Sequence, residues 1–148
     1  MTEATELKRR VRQFNKVIVS LQRIGIAWGP THLLTMPGRR TGLTRTAPIN
    51  VVSIAGQRYI IQVYPSAAWV TNARSTETVT LSRGRRSSTV RLVEVPIPER
   101  RPLLHDHVLN SPKRVAELFV RSGLTARADV ATVMAAADRI AIFRVIPA

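Results

Sequence analysis

The sequence contains no cysteine, which excludes disulfide bridges and thiolate chemistry. Aromatic residues make up only 5% of the chain, so few rings are available on which the bases of single-stranded nucleic acid could stack. No apolar run approaches the roughly 20 residues that a membrane-spanning helix needs. With 148 residues, the chain is long enough for one hydrophobic core, and a single domain over residues 1–148 is expected.

Acidic residues are also scarce, with 9 Asp and Glu against 23 Lys and Arg, which gives a net charge of +14. A polyanionic cofactor, nucleic acid and an anionic bilayer would each match this charge, so charge alone does not choose between them. The N-terminal residues lack the basic and then apolar order of a signal peptide. A cytoplasmic protein is therefore expected.

Residues 2–27 are predicted to form a basic amphipathic helix, because Leu7, Val11, Phe14 and Ile18 recur at helical spacing among charged residues. Such a helix either packs on the domain with a solvated charged face or docks on anionic lipid. Peripheral membrane contact through this helix is thus an open alternative to a purely soluble location.

The centre of the chain is rich in β-branched residues separated by short turns, which predicts strands and hairpins. Strands are expected at residues 32–36, 46–54, 58–64, 78–82 and 88–95, with a short helical turn at residues 66–74. Helices are expected from residue 98 onward, over residues 112–120 and over residues 125–137, before a last strand at residues 140–146. This order predicts an α+β fold, a small antiparallel β-barrel with peripheral helices.

The segment from Gly38 to Arg45 carries three arginines and two glycines between two predicted strands. Glycine permits close backbone approach, and arginine makes charge-assisted contacts with phosphate, so this turn is a candidate anion site. The alternative is that these arginines are solvated turn charges.

The ordered set formed by Gly38-Arg39-Arg40-Thr41-Gly42, Arg45, Pro48, Tyr64-Pro65 and Trp69-Val70-Thr71-Asn72 resembles the deazaflavin (coenzyme F420)-dependent nitroreductase/quinone reductase family of actinobacteria. The resemblance implies a split β-barrel that binds a flavin-type cofactor. It also implies that Arg40 and Arg45 hold the cofactor's phosphate and acidic tail.

The same resemblance implies that Thr41 and Gly42 donate hydrogen bonds and that Pro48 shapes the strand beside the ring. The segment from Tyr64 to Ser66 would pass the ring, although Tyr64 and Trp69 could equally be packing residues. The implied cofactor-binding set is Gly38, Arg39, Arg40, Thr41, Gly42, Arg45, Thr46, Pro48, Tyr64, Pro65, Ser66, Trp69 and Asn72.

These observations favour a reductase that passes a hydride from reduced F420 to a quinone, an activated alkene or a nitro compound. No catalytic residue is assigned, since the cofactor carries the chemistry. FMN is the second choice of cofactor, and a homodimer fits the resemblance. The shortened loop before Trp69 and the absence of a tyrosine after Tyr64 leave the small-molecule acceptor open.

The alternative is a non-catalytic basic module that binds an anionic ligand, a membrane surface or nucleic acid. Nucleic acid is disfavoured because no basic patch is interleaved with stacking rings. No metal is expected, since His32, His105 and His107 lack the spacing of a ligand set.

Overall fold

The computed structural model describes residues 31–38 and 42–148. Their strands are β1 (Thr31–Pro37), β2 (Thr44–Ile54), β3 (Gln57–Ile61), β4 (Thr78–Arg83), β5 (Arg86–Glu94) and β6 (Ile142–Pro147). Their helices are α1 (Ala68–Arg74), α2 (Ile97–Leu109), α3 (Lys113–Ser122) and α4 (Val130–Ala135). The helix predicted over residues 2–27 and the site residues Arg39, Arg40 and Thr41 lie outside the described residues. None of the helices described is long and apolar enough to cross a membrane.

The strands close into a barrel in the order β1-β2-β3-β6-β5-β4, and every neighbouring pair is antiparallel. The predicted α+β barrel is therefore confirmed. β6, the last strand in the sequence, lies between β3 and β5 and closes the barrel there.

The barrel wall separates two hydrophobic cores, because successive side chains of a strand point to opposite faces. Ile60 and Phe143 belong to the core inside the barrel. Their neighbours Tyr59, Ile61 and Ile142 face outward and pack with the helices. The end of β3 and the start of β6 thus bury residues on both faces, which explains the apolar runs at residues 59–61 and 140–143.

One end of the barrel, here called the top end, gathers the ends of β1, β3 and β5 and the starts of β2, β4 and β6, as the antiparallel pairing requires. The β1–β2 hairpin and the loop after β3 both lie there. Helix α1 joins β3 to β4 at this end and packs on the interior core through Trp69, Val70 and Ala73.

A buried arginine fixes the helices to the top end. Arg100 of α2 is 5% exposed and donates hydrogen bonds to the carbonyl oxygens of Val95 (2.8 Å), Ala137 (3.0 Å) and Ile140 (3.3 Å). Its remaining nitrogen contacts the Glu94 carboxylate at 2.9 Å. Arg74 of α1 donates to both oxygens of the same carboxylate, at 2.9 and 2.7 Å. This network joins β5, α1, α2 and the segment before β6.

Two predicted elements are shorter in the structure by three residues or more at one end. The helix predicted over residues 125–137 is confined to α4, because Asp129 accepts a hydrogen bond from the Thr132 amide at 2.7 Å and starts the helix there. The strand predicted over residues 58–64 ends at Ile61, where the chain turns away from β2.

Replacing Arg100 with methionine is expected to lower the free energy of unfolding by about 3–5 kcal/mol, because three carbonyl groups lose a buried charged donor and Glu94 loses a partner. Urea unfolding measures the change. Arg101→Met is the matched control, since Arg101 is an exposed neighbour in the same helix. Equal effects of the two substitutions would contradict the role given to Arg100.

Acid is expected to weaken this network. The hydrogen bond from Arg74 holds the pKa of Glu94 below its ordinary value of 4.5, against the opposing effect of burial and with a further contribution from Arg100. The folded state therefore prefers the carboxylate. Its stabilisation is complete above pH 4.5 and is lost as the pH falls below that value through the folded pKa.

Urea unfolding of the native protein and of Glu94→Gln should show a stability difference that is constant above about pH 5.5 and shrinks below pH 4.5. The comparison with Glu94→Gln is needed because burial also lowers the pKa of His107, so acid destabilises the fold through that group from below pH 6.5. A difference that stayed constant down to pH 3 would contradict the assignment.

Candidate functional site

The β1–β2 hairpin closes on itself through its glycines. The Gly38 amide donates to the Leu43 carbonyl at 2.7 Å, and the Gly42 amide donates to the Gly38 carbonyl at 3.0 Å. Gly42 adopts φ +71°, in the left-handed region that favours glycine. Both glycine amides are thus used within the hairpin and are not available to an anion.

Arg45 lies across Gly38. A Cβ atom at residue 38 would be 3.3 Å from Arg45 Nε and 3.1 Å from the Leu43 carbonyl oxygen, so glycine leaves room for the arginine. The Arg45 side chain is exposed and forms no salt bridge with any described residue. Its guanidinium group therefore has no acidic partner in the part of the chain that the structure describes, and it lies at the top end.

Thr46 and Pro48 belong to the same strand as Arg45 but to its other face. Arg45 shares a face of β2 with Ile49, a residue of the interior core, whereas Thr46 and Pro48 alternate to the outer face and are half-buried. The Thr46 hydroxyl is 3.2 Å from that of Thr35 on β1. A ligand that contacted both Arg45 and Pro48 would have to pass over the rim of the barrel.

The barrel is split beside these residues. β2 pairs with β3 only from Val51 to Ile54, so residues 44–50 of β2 pair with β1 alone among the described strands. On the other side of the split, the chain leaves β3 and forms a loop over residues 62–67, here called the split loop. The split loop contains the predicted site residues Tyr64, Pro65 and Ser66.

The split loop is well fixed. Tyr64 is half-buried, and burial raises the pKa of its phenol, while the positive charge of Arg121 acts in the opposite direction. Ser66 has φ +55°, which is unfavourable for a residue with a side chain and which persists only where the surroundings hold it. No amide hydrogen bond is donated by Ser66 or Ala67 to any other described residue, so both amides are free donors.

A polar cavity of about 230 Å³ lies between the split loop, α1 and the segment before β6. Ser66, Ala67 and Thr71 line one side, and Asp138, Arg139 and Ala141 line the other. Gln62 and Arg74 also line the cavity, and sequence reasoning assigned neither of them to the site. A glutamine in an apolar strand segment, directly before Val63 and Tyr64, is the signal that could have pointed to Gln62.

The two remaining predicted residues lie on α1 and support the structure around the site. The Trp69 ring packs on Phe143 with centroids 5.6 Å apart and a 59° tilt, which places it against the interior core. The Asn72 carbonyl accepts hydrogen bonds from the amide and hydroxyl of Ser75 at the end of α1. The structure therefore favours the packing interpretation of Trp69.

Among residues 31–38 and 42–148, no three His, Asp or Glu side chains gather as a metal site would require. The described groups at the top end are the guanidinium groups of Arg45, Arg74 and Arg139, hydroxyls and backbone amides, with Asp138 as the acidic side chain that lines the cavity. Such a donor set fits an anion or a ring with polar acceptor atoms.

No protein-family model matches the chain, and no curated protein matches it. Several solved structures, however, are similar to the chain. PhzG from Burkholderia lata, determined in complex with tetrahydrophenazine-1-carboxylic acid, is 15% identical with a TM-score of 0.52, and the match covers 99% of this chain and 76% of PhzG. A conserved hypothetical protein of Mycobacterium tuberculosis is 14% identical with a TM-score of 0.51, over 87% of this chain and 79% of that one.

An F420-H2 dependent reductase, FDR-A, also matches, at 21% identity and a TM-score of 0.44, over 78% of this chain and 93% of that one. A similarity of that size says nothing about activity. The first two matches, at identities below 25%, show the fold alone, a split β-barrel with peripheral helices.

Replacing Gly38 with valine is expected to displace Arg45 and open the hairpin, because the new side chain would crowd the Leu43 carbonyl and the guanidinium. Gly42→Asn is the matched control, since asparagine tolerates the left-handed conformation and nothing lies within 4 Å of a Cβ atom there. Hydrogen exchange of the amides of residues 42–46 should quicken in Gly38→Val and change little in Gly42→Asn. Equal rates in the two variants would contradict the close approach.

Proposed function

We propose that the protein is an oxidoreductase that binds reduced coenzyme F420 at the top end of the barrel and reduces an electron-poor acceptor such as a quinone, an activated alkene or a nitro compound. One observation carries the proposal. The β1–β2 hairpin and the split loop lie at the same end of a split barrel, although they are far apart in sequence. Both contain residues of the motif that resembles F420-dependent reductases.

The donor set suits such a cofactor. Arg45 would hold the phosphate and the acidic tail together with Arg39 and Arg40, and the free amides of Ser66 and Ala67 would face acceptor atoms of the ring. Reduced F420 supplies the hydride when it is bound, so the protein has to bind, orient and shield the ring. No nucleophile or pair of catalytic carboxylates is required.

The fold is compatible with a fused-ring acceptor, since PhzG holds a tetrahydrophenazine carboxylic acid on a similar barrel. The acceptor of this protein is left open. A homodimer and a cytoplasmic location belong to the same proposal, with FMN as the second choice of cofactor.

A non-catalytic basic module is the second candidate, and the charge of the barrel favours it. The described strands carry the arginines Arg45, Arg58, Arg83, Arg86, Arg91 and Arg144, with Glu94 as their single acidic residue. Such a module would bind polyanions with an affinity that falls steeply with salt and would show no preference for a deazaflavin.

The deciding experiment is a fluorescence titration with oxidised F420 and, in parallel, with FMN at near-physiological salt. Micromolar or tighter F420 binding with weaker FMN binding is expected. Arg45→Gln should raise the Kd for F420 at least about tenfold, the equivalent of one charged hydrogen bond. Arg58→Gln, an exposed arginine at the opposite end of the barrel, is the control.

If the protein bound neither F420 nor FMN, the reductase would be excluded and the basic module favoured. If F420 bound equally well to the native protein and to Arg45→Gln, the cofactor would remain but Arg45 would not hold it. A reduced-F420 assay with a panel of quinones, nitro compounds and activated alkenes then identifies the acceptor class.

A further inference from the structure

Gln62 occupies the position at which β3 stops being a strand. It follows Ile61, the last residue of β3, and it is only 7% exposed. Its backbone amide donates to the Ala141 carbonyl at 2.9 Å, which extends the β3–β6 pairing one residue beyond Ile61 and Ile142. From this residue onward the chain bends toward the split.

The side chain of Gln62 makes hydrogen bonds in place of those that the backbone of β3 would have made if the strand continued. Its Oε1 accepts a hydrogen bond from the Ala141 amide at 3.0 Å, and its Nε2 donates to the Tyr64 carbonyl at 2.8 Å. The orientation of the carboxamide is set by its partners, because an amide N–H can only donate and a carbonyl can only accept. One glutamine therefore fixes the split loop to the start of β6.

The restraint acts on the part of the split loop that carries the free donors. Pro65 follows the Tyr64 carbonyl that Gln62 holds, and Ser66 then takes its left-handed conformation, which is unfavourable for a residue with a side chain. On the far side, the Ala67 carbonyl accepts the Val70 amide at 3.1 Å at the start of α1. The backbone of Ser66 is thus held between two hydrogen bonds, one at Tyr64 and one at Ala67. Ser66 and Ala67 both line the 230 Å³ cavity.

We propose that Gln62 is the positioning residue of the ring site: by holding the Tyr64 carbonyl, it keeps the amides of Ser66 and Ala67 in place for the polar edge of a heterocyclic ring. This inference rests on the proposed function, which it deepens by naming the residue that shapes the site. Gln62 acts through the split loop and does not touch the reacting atoms.

Two substitutions test the two hydrogen bonds of the Gln62 side chain separately. Gln62→Glu keeps an acceptor for the Ala141 amide but loses the donor to the Tyr64 carbonyl, and Gln62→Met loses both. Gln57→Glu and Gln57→Met are matched controls, because Gln57 is an exposed glutamine at the other end of β3. Both Gln62 variants are expected to raise the Kd for F420 about tenfold, with no such change in the controls. If Gln62→Met does not fold, Gln62→Glu decides the matter alone.

Hydrogen exchange of the amides of residues 62 and 70, whose bonds to the Ala141 and Ala67 carbonyls hold the two ends of the split loop, gives a readout without cofactor that is independent of F420. Faster exchange in the Gln62 variants, with unchanged exchange in β3 and β6, supports the positioning role. Exchange that is unchanged in the loop, or that rises equally across the barrel, overturns it. An unchanged Kd in a folded Gln62 variant overturns it as well.

The two proposals fail separately. If the native protein does not bind F420, the proposed function fails, while the exchange experiment still measures the restraint on the loop. If the native protein binds FMN in its place, the same variants are titrated with FMN under the same expectations.

Discussion

The structure depends on the buried guanidinium group of Arg100. It lies at the junction of β5, α2 and the segment that leads into β6, and it satisfies three carbonyl groups that the surrounding strands and helices leave unpaired. Glu94 neutralises it and at the same time binds Arg74, so α1 is attached to the same junction. Since α1 and the segment before β6 form walls of the polar cavity, the geometry of the candidate site rests on an ion network of which Arg74 alone lines the cavity.

The strands and the barrel could be predicted from the sequence, but the buried arginine could not. Segments rich in β-branched residues, separated by turn residues, predicted the strands, and the barrel followed from their number. Arg100 could not be found in this way, because an arginine in a helix normally lies on the solvent side. Its burial requires carbonyl groups from residues about 40 positions away, a contact that no local pattern reports.

The end of β3 shows a second limit of local patterns. Val63 and Tyr64 are typical strand residues, so the strand was predicted to continue through them. Whether a strand continues is decided by a partner for its backbone groups, and there the Gln62 side chain takes bonds that a further strand residue would have made. Because the Gln62 side chain makes these bonds in place of the backbone, the chain leaves β3 there and the split opens. The early end of β3, which the prediction missed, therefore also creates the candidate site.

The hairpin changes the physical account of anion binding that the sequence suggested. Glycine-rich turns bind phosphate through free amides, but the amides of Gly38 and Gly42 close the hairpin instead. Binding there would then depend on guanidinium groups, which attract any polyanion, while selection for one ring falls to the fixed amides of the split loop. In the proposed site, affinity and selectivity would be divided between two segments, and their common position at the top end, set by strand pairing, would allow one ligand to use both.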